Sequence, residues 1–238
     1  LDRESIAGQT AFAVYLNPLE VFNVKVGFLI AAACALLAST TTQAQVAGSP
    51  PCVTGTLASY IALGSGGCMF ESTLYRNFSY VVPGTAPISP QQILVIPSSG
   101  PSVATPYPGL TFYGPWSVPR DLSLTSIIGY STVPFPPNAS AGVLDTILNL
   151  DLGAASIGGI IGSVEVTETV TPANSTLAEQ LQVYEICEEV CRQQKTDTAI
   201  LVGLESRNFS LNVTLDGGTG GASLNYFTAN ETYGLPPQ

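Results

Sequence analysis

Phe209-Ser-Leu-Asn-Val-Thr-Leu-Asp216 alternates apolar and polar side chains without a break. Successive side chains of a strand point to opposite faces. Phe209, Leu211, Val213 and Leu215 therefore share one face, and Ser210, Asn212, Thr214 and Asp216 share the other. A strand with one apolar and one polar face belongs to an antiparallel sheet that is buried on one side and wet on the other. Its apolar face needs a second layer, and more segments of the same kind would supply one as a second sheet.

Such segments recur on both sides of it. Val164, Val166 and Val170 alternate with Ser163, Glu165, Thr167 and Thr169, with Glu168 interrupting the apolar face. Leu148, Leu150 and Leu152 alternate with Asn149 and Asp151, and Leu122, Leu124, Ile128 and Tyr130 share a face of a longer segment. Shorter strand candidates are Leu57–Leu63, Phe78–Val82, Ile93–Ile96, Leu110–Tyr113, Ala199–Val202 and Leu224–Phe227. Clusters of Gly, Pro and Asn separate them, the turn chemistry of an all-β chain. The expectation is one antiparallel β-sandwich of jelly-roll type over residues 45–232.

Two stretches read less cleanly. Thr176–Lys195 has a capping box in Thr176 and Glu179 and bases near its end, which suits a helix. Leu181–Ile186 equally suits a strand leading into a Cys187–Cys191 turn, and periodicity does not separate the two. Pro97–Pro119 carries Tyr107, Phe112, Tyr113 and Trp116, and its prolines are expected to keep most of it out of central strands. Tyr107, Tyr113 and Trp116 are the candidate residues for stacking on sugar rings, against the alternative that these aromatics cover one end of the core.

The amino-terminal part speaks of export. Lys25 precedes an uncharged apolar run of 13 residues, Val26–Ala38, and Thr42-Gln43-Ala44 offers small residues where a signal peptidase reads. The run is too short to cross a bilayer as a helix. Residues 24–44 are thus expected to be a signal peptide with cleavage between Ala44 and Gln45, and no transmembrane span remains in the mature chain. Residues 1–23 fit an over-called extension or a pro-segment, and residues 233–238 a disordered tail.

Composition narrows the chemistry. The chain has no histidine, 7 basic and 17 acidic side chains, and a formal net charge of −10. The first point removes Ser-His-Asp and Cys-His mechanisms and histidine-ligated zinc. The second disfavours nucleic acid and anionic membranes as partners. Four cysteines follow the signal peptide, and their order predicts Cys52–Cys68 and Cys187–Cys191 disulfides, the pairing an oxidising compartment favours. The alternative is a metal site built from the same four thiols.

Catalysis without histidine would need paired carboxylates, as in glycoside hydrolysis, and Asp145, Asp151, Glu165 and Glu168 are the candidates. Glu165 and Glu168 lie an odd number of residues apart, so a strand would point them to opposite faces. The glycine-rich runs Gly64–Gly67 and Gly217–Gly221 lack the residues of a phosphate-binding loop and read as turns. Asp216 before Gly217-Gly218 could contribute to a calcium loop, but with no dense aspartate pattern it reads as a strand-ending turn residue. No cofactor and no metal site are expected.

Cys52-Val-Thr-Gly-Thr-Leu-Ala-Ser-Tyr-Ile, then Gly66-Gly67-Cys68 and Asn77-Phe-Ser-Tyr80, resembles the amino-terminal region of exported bacterial PEP-CTERM sorting-class proteins. The later order is similar too: Phe112-Tyr-Gly114, Asp121-Leu-Ser-Leu124, Asp145-x-x-Leu148 and Val164-Glu-Val-Thr-Glu168. The resemblance implies a secreted or cell-surface β-rich domain linked to envelopes and extracellular polysaccharide. The carboxy-terminal sorting signal of that class is not present in this chain. The functional expectation is a bacterial surface or extracellular-matrix protein with a structural or interaction role and no catalysis. Its partners would be extracellular polysaccharide or other envelope proteins. A carbohydrate-binding module is the alternative, and a carboxylate-based glycoside hydrolase the third reading.

Overall fold

The computed structural model describes residues 48–83, 88–99, 108–134, 145–173, 178–202 and 206–234. The chain separates into Leu1–Gln43 and Ala44–Gln238, and every described residue belongs to the second unit. The expected signal peptide, its Ala44/Gln45 junction and the 233–238 tail beyond Gly234 lie outside the described residues.

In chain order the elements are β1 (Gly55–Thr56), α1 (Leu57–Ala62), β2 (Cys68–Phe70), β3 (Thr73–Val81), β4 (Leu94–Ser99), β5 (Pro108–Val118) and β6 (Ser123–Pro134). They continue with β7 (Asp145–Leu152), β8 (Ala155–Ile157), β9 (Ile161–Pro172), β10 (Glu179–Glu188), β11 (Val190–Gln194), β12 (Thr196–Val202), β13 (Arg207–Asp216) and β14 (Ala222–Gly234). They make two seven-stranded sheets. The first runs β1-β4-β5-β14-β7-β12 with β8 also on β14, and the second runs β11-β10-β9-β13-β6-β3-β2. All pairings between named strands are antiparallel. The chain changes sheet repeatedly, at β1–β2, β3–β4, β5–β6, β6–β7, β8–β9, β11–β12, β12–β13 and β13–β14, so the two sheets of the sandwich are built from interleaved segments.

β13 contains the alternating segment Phe209–Asp216. It lies between β9 and β6, with Val213 opposite both Val166 and Ser126. Phe209, Leu211, Val213 and Leu215 are buried, and the polar residues between them are not. The interior they face is aromatic at its centre. Tyr130 stacks on Phe209 with centroids 4.7 Å apart, and Phe112 stacks on Phe227 at 5.1 Å.

Two sequence expectations change, and one open choice is settled. Leu57–Leu63 holds a helix, not a strand. Thr56 caps α1 by accepting the Ser59 N–H at 3.2 Å, and Leu57 and Tyr60, three apart, are buried on one face. Residues 179–194 form a hairpin, not a helix, because β10 finds a full partner in β9 over ten residues, from Glu179↔Val170 to Glu188↔Ile161. Tertiary pairing outweighs the local capping box there. The proline-rich stretch supplies the end of β4 and all of β5, and β5 is an interior strand between β4 and β14. Pro115 is tolerated because it falls where the β5–β14 register shifts, between the Tyr113↔Tyr226 and Trp116↔Leu224 pairs.

Both disulfides form as expected. Cys52–Cys68 has a Cα separation of 4.8 Å, and Cys187–Cys191 bridges directly opposed residues of the β10–β11 hairpin. With all four thiols so used, the thiolate metal alternative is removed.

Candidate functional site

β5, β14 and β7 lie side by side in the first sheet, and their inward residues Phe112, Phe227 and Leu152 are opposed across the strands. The residues one step along must therefore face outward. They form two rows. Leu94, Tyr113 and Tyr226 make one, and Ile96, Thr111, Thr228 and Asp151 make the next.

The first row is aromatic. Tyr113 and Tyr226 stack across the strands, with centroids 4.9 Å apart and planes inclined by 27°. Tyr226 lies close over Gly153, whose N–H donates to the Tyr226 carbonyl at 3.0 Å, and any Cβ at 153 would strike the ring. The absence of a side chain at Gly153 is what lets the ring lie down on the sheet. Tyr113 remains 39 % exposed and neighbours Leu94 at 37 %. The result is an open aromatic and aliphatic shelf on a rigid sheet.

Beyond Ile96 the second row runs through two threonine hydroxyls to a carboxylate, with Ser98 beside it. Ser98 Oγ lies 3.1 Å from Thr111 Oγ1, which lies 3.0 Å from Thr228 Oγ1. Asp151 stands directly opposite Thr228, and partial burial pushes its carboxyl above the usual range. Further along the face, Thr198 Oγ1 donates to Asn149 Oδ1 at 2.6 Å. An apolar shelf beside fixed hydroxyl, amide and carboxylate groups suits a pyranose. Its C–H face packs on an aromatic ring while its hydroxyls exchange hydrogen bonds at the edge.

The three proposed stacking residues separate. Tyr113 is on this shelf. Tyr107 lies outside the described residues. Trp116 is corrected: it is fully buried, packs 5.6 Å from Phe227, and donates its indole N–H to Ser126 Oγ of the opposite sheet at 3.0 Å. Residues 113 and 116 have opposite parity on one strand, so they could not share a face. Tyr226 was missed because plain alternation groups it with the buried Leu224, and only the register shift between Leu224 and Tyr226 turns it outward.

The carboxylates do not converge. Glu165 is on the outer face of the second sheet, where it accepts from Thr167 Oγ1 at 3.1 Å. Glu168 is fully buried between the sheets, and Asp151 is on the outer face of the first sheet. Asp145 opens β7 and its side chain lies outside the described residues. Asp216 accepts the Gly218 N–H at 3.0 Å, ending β13 in a turn where Gly218 has φ +43°. Among the described residues, no three Asp, Glu, Cys or His side chains gather as metal ligands. No helix among them is long and apolar enough to cross a membrane.

Two hollows lie elsewhere. One, of about 380 Å³, is open and lined by Ser117, Pro119, Ser156, Gly158 and Ser223. The other, of about 240 Å³, is apolar and sits against the Cys52–Cys68 bridge beside Pro51, Val53 and Tyr60. Neither contains a charged side chain.

No protein-family model matches the chain, and no curated protein matches it by sequence. Among solved structures it is similar to a carbohydrate-binding module in complex with β-1,4-galactotriose, at 11% identity over 63% of this chain and 86% of that one, with a TM-score of 0.28. A family 11 carbohydrate-binding module from Clostridium thermocellum, in complex with a β-1,3-1,4-mixed-linked tetrasaccharide, is similar at 10% identity over 68% and 91%, with a TM-score of 0.25. The enzymatically active domain of bacteriophage CBA120 tailspike protein 4 is similar at 11% identity over 67% of this chain and 19% of that one, with a TM-score of 0.28.

Proposed function

We propose that this chain is an exported, non-catalytic bacterial surface or matrix protein that binds a neutral polysaccharide on the outer face of β5, β14 and β7. The observation that carries the reading is the Tyr113–Tyr226 stack on the outer face, with Tyr113 exposed and Tyr226 half-buried, beside the Ser98–Thr111–Thr228 hydroxyl run. A net charge of −10 repels acidic polymers, so the partner is an uncharged glycan. The placement of Asp151 and Glu165 on opposite outer faces, with Glu168 buried in the core, supports a binding role without hydrolysis, which needs two carboxylates within about 10 Å flanking one bond. Two disulfides in a sandwich of this kind support export through the 24–44 signal peptide. Membership of the PEP-CTERM sorting class belongs to the same proposal.

Affinity electrophoresis through gels containing single neutral or acidic polysaccharides tests the binding claim. At least one neutral polymer should retard the protein, and Tyr113→Ala and Tyr226→Ala should each weaken that binding by about tenfold, the order of one lost aromatic contact. Indifference to every neutral glycan, or binding unchanged by both substitutions, would overturn the reading. Edman sequencing of the secreted product should begin at Gln45.

A further inference from the structure

Of the two acidic residues of β9, Glu165 and Glu168, the fold turns Glu168 inward with Val164, Val166 and Val170. Leu211 of β13 and Leu181 of β10 lie opposite it in the sheet. Neither carboxyl oxygen has a hydrogen-bond partner. From the facing sheet β14 turns Glu231 into the same interior, where its Oε1 lies 2.6 Å from Arg207 Nη1 of β13. Among the described residues, the buried charged side chains are Glu168, Glu231 and Arg207. The phenols of Tyr75 on β3 and Tyr130 on β6 share the inward face. Arg207 is committed to Glu231, so one guanidinium stands against two carboxyls.

Two buried carboxylates beside one cation leave an uncompensated negative charge in an apolar medium, which is strongly unfavourable. Water, which would solvate Glu168 in the unfolded chain, does not reach it here. We propose that the sandwich interior retains one proton on Glu168, held there by burial and by the neighbouring Glu231, and that release of this proton on the alkaline side loosens the two sheets where Arg207 and Glu231 join them. This device depends on the core alone and stands apart from glycan binding.

The sign follows from proton counting. Burial first, and the Glu231 charge second, push Glu168 up to about 8 from the usual 4.5. Between those values the native state binds a proton that the unfolded state has lost, so stability falls as pH rises. Below the lower value both states are protonated and the cost vanishes. Above the upper value the native state also ionises, and the full cost remains. Glutamine, a neutral stand-in for the protonated side chain, should abolish the effect.

The test is urea denaturation of the full, disulfide-intact chain between about pH 4 and pH 9.5, for the native sequence and for Glu168→Gln. Relative to the variant, the native folding constant should drop by up to about tenfold per pH unit within the window and flatten beyond it. Parallel pH profiles would overturn the proposal. Should Glu168→Gln fail to fold, infrared spectroscopy of the unmodified protein decides. A protonated carboxyl stretch at neutral pH that disappears on alkalisation supports the interior proton, and its absence at neutral pH refutes it.

Discussion

Arg207 and Glu231 join the two sheets through the core: Nη1 of one lies 2.6 Å from Oε1 of the other, at 1 % and 3 % side-chain exposure. Arg207 sits at the start of β13 opposite Thr132, and Glu231 lies on β14 opposite Leu148. The pair ties the central strand of one sheet to the strand that carries the tyrosine shelf on the other. Desolvating both charges costs several kcal/mol, so the pair as a whole adds little net stability. Breaking it is another matter. Glu231→Gln or Arg207→Met should each destabilise by about 3–5 kcal/mol, because each leaves a buried charge without its partner. A double substitution to apolar residues of similar volume should cost much less than the sum. A double-mutant cycle by urea denaturation measures both.

The disulfides should differ in worth. Cys52–Cys68 spans a sequence separation of 16 and Cys187–Cys191 one of 4. Loop-closure entropy gives about 3 kcal/mol for the longer loop and about 2 kcal/mol for the shorter. Cys52→Ala/Cys68→Ala should therefore lower stability by about 1 kcal/mol more than Cys187→Ala/Cys191→Ala, a difference that chemical denaturation resolves.

The strands were legible wherever alternation was clean and one face was wet, as in Phe209–Asp216. The inward Glu168 was legible as an interruption, but its burial depends on β10, β13 and β14, which no local pattern joins to it. Thr176–Lys195 defeated local reading because helix caps and β pairing compete and only β9 decides. Leu57–Leu63 misled because Leu57, Ile61 and Leu63 alternate as a strand would, while Leu57, Tyr60 and Ile61 follow a helical face. The shelf was half legible. Tyr113 was named, Trp116 was joined to it against strand parity, and Tyr226 lies more than a hundred residues away, brought alongside only by the β5–β14 register.

Asp216 offers a compact check on the loop end of the sandwich. Its carboxylate accepts the Gly218 N–H at 3.0 Å, and Gly218 carries the left-handed backbone that the turn needs. Asp216→Asn keeps an acceptor and should be nearly neutral. Asp216→Ala loses one charge-assisted bond on an exposed turn and should cost about 1 kcal/mol. Gly218→Ala should cost more, since its φ of +43° disfavours a side chain and a Cβ there would strike the Ile161 carbonyl. Melting temperatures of the three variants should fall in that order. Added calcium should move none of them, because Asp216 spends its carboxylate on the turn.

Tyr113 and Trp116, three residues apart on β5, should give opposite phenotypes. Trp116 is fully buried, bonded to Ser126 and packed on Phe227. Trp116→Ala empties a large volume and removes the indole bond to Ser126, so it should destabilise by about 3–5 kcal/mol. Tyr113 rests on the outside of the same strand at 39 % exposure, and Tyr113→Ala should cost on the order of 1 kcal/mol, the worth of an aromatic pair beyond its area. Glycan affinity should behave the other way round. Whatever fraction of Trp116→Ala remains folded should bind as the unmodified protein does, while Tyr113→Ala should be stable and weak. Measuring the urea midpoint and the glycan Kd of each variant in the same buffer separates the two roles. A Trp116→Ala protein that is fully folded yet has lost affinity would place the shelf on the wrong face of β5.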